Sequence, residues 1–179
     1  MDLSRRDAAA ALHDIEQAQA RSANLEDYLR AAPHFMIWGV LWAVAYSLND
    51  IYPVHARAIW SVVVPIGVIG GLLAMRQGWY ERTWRYAAVM GAIFIFAGAT
   101  FVVMWPVNAR QVAAFIPLLV ALTYVLKGIS GGIRYVGLGV AVSAFTLLGF
   151  FLLKHHFFLW MAVVGGGSLI LASIWLRRV

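Results

Sequence analysis

Asp50, His55, His155 and His156 bring three imidazoles and a carboxylate toward the ends of apolar segments, a donor set that suits zinc or copper. Adjacent histidines weaken that reading, because side chains at 155 and 156 would diverge by about 100° on a helix. Interfacial hydrogen bonding is their simpler role, so no metal, haem or other cofactor is expected. A second constellation is aromatic. Trp38, Trp42 and Tyr46 recur at intervals of four, with Phe35 before them and Asn49 after, and helical geometry sets them on one face. Such a ladder would line a pocket for a flat or cationic apolar ligand, oriented by Asn49 or Tyr46. The competing expectation is plain packing against small residues of a neighbouring helix. Pro65 and Pro117 add a third signal. Each removes the amide donor from the carbonyl four residues earlier, Ser61 and Ala113, which must then find a side chain, water or ligand. Both prolines lie at similar depth in their segments, so paired kinks there would frame a cavity.

Nucleophilic chemistry is poorly represented. Cysteine is absent, which excludes disulfides and thiolate sites together. Gly128, Ile129, Ser130 and Gly131 resemble the Gly-x-Ser-Gly of rhomboid intramembrane proteases over those four residues alone. The histidine partner that a rhomboid carries on its sixth helix has no counterpart in residues 157 to 176, and a serine without a base is a weak nucleophile. A turn is the expected role of this tetrapeptide, and the chain does not read as an enzyme.

The elements that must position these residues are unusually apolar. Hydrophobic residues make up 63% of the 179 and charged ones 12%, whereas a soluble domain carries about a quarter charged. Six apolar runs, at about 33–49, 58–75, 86–105, 111–126, 133–153 and 157–176, have no Asp, Glu, Lys or Arg in their interiors. Each approaches the ~17–25 residues that cross a hydrocarbon layer, and only helices keep every backbone amide paired there. The chain therefore reads as all-α, a polytopic integral membrane protein with a six-transmembrane-helix bundle over residues 33–179.

Charge sets the expected orientation. Arg5, Arg6, Arg21, Arg30, Arg76, Arg82, Arg85, Lys127, Arg134, Arg177 and Arg178 would share one face, against Arg57, Arg110 and Lys154 on the other. That bias places both termini in the cytoplasm, in a bacterial plasma (inner) membrane, and accounts for the net charge of +6 without nucleic acid. The bundle's contacts are expected at small-xxx-small pairs that let backbones approach: Gly39 and Ala43, Gly67 and Gly71, Ala162 and Gly166.

Residues 1–32 differ in kind. Ile15, Ala18, Leu25 and Leu29 belong to a heptad-spaced apolar stripe, flanked by Asp14, Glu16, Arg21, Glu26, Asp27 and Arg30, and predict an amphipathic cytoplasmic helix. Pro33 should separate it from the first span, since the residue before a proline disfavours helical geometry. The helix would lie along the protein's own cytoplasmic face, or dock a protein partner or a second copy. The leading functional expectation is a regulatory, accessory or scaffold module acting through this helix. The alternative is binding or transport of an apolar small solute in the aromatic-lined pocket, and a metal- or haem-binding role comes last.

Overall fold

The computed structural model describes residues 2–75 and 80–178, and these form helices and short connectors with no strand. Helix α1 runs Asp2–Ile51, α2 Ala56–Met75, α3 Tyr80–Val103, α4 Ala109–Gly131 and α5 Ile133–Leu152. The last rod, α6, covers Phe157–Arg177 and contains a π-helical stretch at Met161–Gly166. Five of these helices are long and apolar enough to cross a membrane. The described apolar part of α3, Ala87–Val103, is shorter. Large apolar side chains such as Ile69, Ile95, Leu126, Val140 and Leu171 are exposed on the outside of the bundle. Outward-facing apolar surface of this kind is what hydrocarbon covers, since lipid exacts no penalty for it.

The break expected at Pro33 is absent, and helix α1 passes through it for 50 residues, about 75 Å of rise. The physical reason is that α1 is gripped on both sides of the proline. Before it, Asp27 accepts a hydrogen bond from the Tyr135 hydroxyl at 2.9 Å and pairs with the Lys127 ammonium at 3.0 Å. Lys127 also sits 4.1 Å from the centre of the Tyr135 ring, and the Ser173 hydroxyl of α6 donates to the Ala32 carbonyl at 2.7 Å. After it, Phe35 is buried and Gly39 lies against α6. These contacts offset the ~3 kcal/mol that an interior proline costs a helix.

Gly132, the single residue between α4 and α5, has φ +122°, and a Cβ there would stand 2.0 Å from the Tyr28 hydroxyl oxygen. Only glycine meets both conditions, which makes this turn the seat for α1. Asp27→Ala should cost about 1 kcal/mol, because the pair is part-exposed but shares a second hydrogen bond. Glu26→Ala, which removes the exposed i,i+4 partner of Arg30, should cost no more than ~0.5 kcal/mol. Unfolding in lipid nanodiscs measures both, and equal costs would show that the Asp27 cluster does not hold α1 in place.

Residues 8–23 of α1 are exposed throughout, so this part of the helix does not lie on the body of the protein as expected. Ile15 is 54% and Leu29 46% exposed, Ala18 is exposed, and Leu25 is half-buried. Arg76 and Trp79, and the side chains of Arg5, Arg6, Arg82, Arg85 and Ser130, lie outside the described residues.

Small residues of α1 and α6 lie face to face. A Cβ on Gly39 would fall 2.9 Å from the Ile170 amide nitrogen and 3.0 Å from the Gly166 carbonyl. One on Gly166 would fall 2.7 Å from the Ala43 amide nitrogen, so the pairs of α1 and α6 pack against each other. Ala162 and Gly71 are buried as well, and Gly67 receives the Trp38 ring. Among the described residues, helix α3 touches mainly α2 and α4, and Ile93 and Ala97 are its buried apolar residues.

Candidate functional site

The aromatic ladder of α1 faces a cavity of ≈ 570 Å³ bordered by α1, α2, α3 and α4, with Leu169 of α6 at its wall. Side chains four apart on a helix drift by about 40° per step, so the three rungs fan out toward different neighbours. Trp38 lies over Gly67 of α2, Trp42 over Gly165 in the π-helical stretch of α6, and Tyr46 reaches α4. Trp42 and Tyr46 meet edge to face at 6.0 Å, and Tyr46 and Trp60 do so at 5.0 Å, a favoured geometry for aromatic pairs. The ladder is thus both packing and wall, since its rings cover Gly67 and Gly165 while Trp38, Trp42 and Tyr46 also line the space.

Pro117 does not line the cavity. It is fully buried, and Pro65 is exposed. Neither proline is among the residues that border the space between α1 and α4. The carbonyl freed by Pro117 does matter. Ala113 lines the cavity, and its oxygen accepts a hydrogen bond from the Tyr46 hydroxyl at 2.8 Å. The orphan created in α4 is thereby satisfied by the third rung of the ladder in α1, and the two helices are joined at that depth.

Asn49 ends the ladder. It is 3% exposed, lines the cavity, and its side-chain carbonyl oxygen has no hydrogen-bond partner. An unsatisfied buried amide oxygen costs about 1–3 kcal/mol, and here it borders a space large enough to hold the missing donor. Near it the lining includes Arg57, Trp60 and Trp105. The opposite end is closed by His34, Thr123 and Tyr124. Thr123 donates to the Val120 carbonyl at 2.7 Å, and His34 stands edge-on to Phe35 and Trp38.

Several of these residues escaped sequence reasoning. Trp60 and Trp105 sit near segment ends and read as interfacial anchors, although both face the cavity. His34 lies four residues before Trp38 and so continues the ladder by one rung, a signal present in the spacing. Arg57 carried no signal beyond its place in a connector.

The metal constellation does not assemble. Among the described residues no three His, Cys, Asp or Glu side chains come close enough to share an ion. His55 follows α1 while His155 and His156 precede α6, all three are exposed, and the bundle does not bring these connectors into register. Comparison with protein-family models, with curated proteins and with solved structures found no match for this chain.

Proposed function

We propose that this is a non-enzymatic integral membrane protein that binds an apolar small molecule in the cavity along α1. The supporting observation is the unpartnered Asn49 carbonyl at the wall of an otherwise apolar, aromatic-lined space. Its volume of ≈ 570 Å³ falls within the ~300–1,000 Å³ of small-molecule pockets. In this reading the bundle crosses the membrane six times with both termini in the cytoplasm of a bacterial cell, and the Asn49 end of the cavity faces outward. The chemistry of the wall supports binding itself. Native mass spectrometry of protein released gently from its own membranes tests it, with a discrete adduct at fixed stoichiometry expected. Asn49→Leu should weaken retention of that adduct roughly tenfold and stabilise the empty protein by about 1 kcal/mol, because it removes an unsatisfied polar atom. Protein that never carries an adduct, together with a destabilised Asn49→Leu variant, would overturn the reading.

A second reading rests on the exposure of residues 8–23 of α1. There the protein is a regulatory or scaffold module whose N-terminal helix docks a protein partner or a second copy through Ile15, Ala18, Leu25 and Leu29. Small seam residues suit close helix pairing. Ile15→Asp combined with Leu25→Asp should abolish self-association or partner recovery while the bundle stays folded, and unchanged recovery would sink it.

A further inference from the structure

Length, polarity and charge along the cavity say what would fill it. Its wall runs from His34 to Asn49 on α1 and from Ala109 to Tyr124 on α4, in each case about 22 Å of helix rise. Spreading ≈ 570 Å³ over that length leaves a mean cross-section of about 26 Å². Such proportions fit an extended chain. Between the ends, the wall is Trp38, Trp42, Ile93, Phe94, Ile116 and Val120, all apolar or aromatic.

Charge is unequal between the ends. At one, Thr123 spends its hydroxyl on Val120, and His34 and Tyr124 interact within the protein. At the other, the Asn49 oxygen is unpartnered, and Arg57 is the only formally charged side chain in the described lining. No described carboxylate pairs with Arg57, and no Asp or Glu lines the cavity among the described residues. Arg57 is exposed where it borders the cavity, and a guanidinium there can still hold an anionic oxygen group through charge-assisted hydrogen bonds. A cationic head would meet that charge with no acid to offset it.

We infer that the cavity takes a single-chain amphiphile with an anionic head, the head held by Arg57 and Asn49 and the chain lying along Trp42 and Trp38 toward His34. The head's oxygens accept hydrogen bonds from Arg57, and a hydroxyl on the head or its first carbons donates to the Asn49 oxygen. This assignment rests on the binding reading above and adds the charge and direction of the occupant. Carboxylate and phosphate heads both accept from Arg57; a phosphate monoanion brings its own P–OH donor for Asn49, whereas a carboxylate needs a hydroxyl on its first carbons.

The test uses full-length protein in phosphatidylcholine nanodiscs, with saturable quenching of tryptophan fluorescence by three probes of one brominated chain length. These are an alkyl phosphate, the matching alkanol and the matching alkyltrimethylammonium. The phosphate should bind at least roughly tenfold more tightly than the alkanol. Arg57→Gln should collapse that ratio, while Arg110→Gln, outside the lining, should preserve it. Equal affinities for all three heads, or a ratio indifferent to Arg57→Gln, would overturn the head assignment and leave the cavity reading standing. Absence of saturable quenching by every probe would sink both. The mass of a native adduct separates the two sources: a carboxylate- or phosphate-headed chain supports the inference, and a neutral or cationic one refutes it.

Discussion

Gly166→Val should leave little folded protein. The hydrogen it replaces points at the backbone of α1, where a Cβ would stand 2.7 Å from the Ala43 amide nitrogen and 2.9 Å from its Cα. Backbone cannot swing aside as a side-chain tip can, so relief requires separating α1 from α6. Overpacking in an interior costs about 1–3 kcal/mol where neighbours adjust, and this substitution belongs at or above the top of that range. Gly39→Val should do the same damage from the facing side, since its Cβ would collide with Ile170 and the Gly166 carbonyl. Gly167→Ala is the control: nothing lies within 4 Å of a Cβ at that neighbouring position. Recovery of monodisperse protein and its unfolding midpoint check the set. If Gly166→Val and Gly167→Ala unfold alike, close approach of α1 and α6 is not what holds the bundle.

Tyr46→Phe should cost about 1–3 kcal/mol, because it removes the hydroxyl that donates to the Ala113 carbonyl. The lesion has a specific remedy. Pro117→Ala restores the amide that would ordinarily bond to Ala113 within α4, so Tyr46→Phe should be much milder in that background. A double-mutant cycle in nanodiscs reads the coupling directly, and an interaction energy of more than ~1 kcal/mol is expected. Additive effects would mean that the hydroxyl and the proline act independently, and that the Tyr46 bond is incidental to the joint between α1 and α4. The same cycle bears on the cavity, since loss of that joint would loosen the wall facing Trp42.

What could be read from the residues was whatever depends on local spacing. Intervals of four put Trp38, Trp42 and Tyr46 on one face, and the same rule applied to Pro117 named Ala113 as a carbonyl in need of a donor. Neither statement required knowledge of any other helix. The helix bounds were legible for a similar reason: hydrocarbon forces backbone amides to pair within their own segment, so apolar length translates into helix almost directly. Gly39, Ala43, Ala162 and Gly166 were recognisable as contact residues because small side chains are what close approach demands.

Partner choice was beyond that reach. The identity of Ala113's donor, the facing of Gly39 by Gly166 and the arrival of Trp38 on Gly67 depend on how α1, α2, α4 and α6 rotate about their axes. That rotation is settled by many weak contacts acting together. Pro33 shows the limit from the other side. A local rule ends the helix there, yet the Asp27, Lys127 and Tyr135 cluster on one flank and the Gly39 contact on the other hold it through. Arg57 is the clearest case for the cavity: as a lone charge in a connector it says nothing, and it gains meaning only beside a buried Asn49 oxygen with no partner. By itself, then, the sequence determined an all-helical chain with apolar spans, the faces of those helices and the carbonyl that proline would orphan, because each follows from geometry within one segment. Only the tertiary structure decided which faces meet, that α1 is continuous, and that the ladder borders a space charged at one end, because those outcomes arise from contacts between residues far apart in the chain.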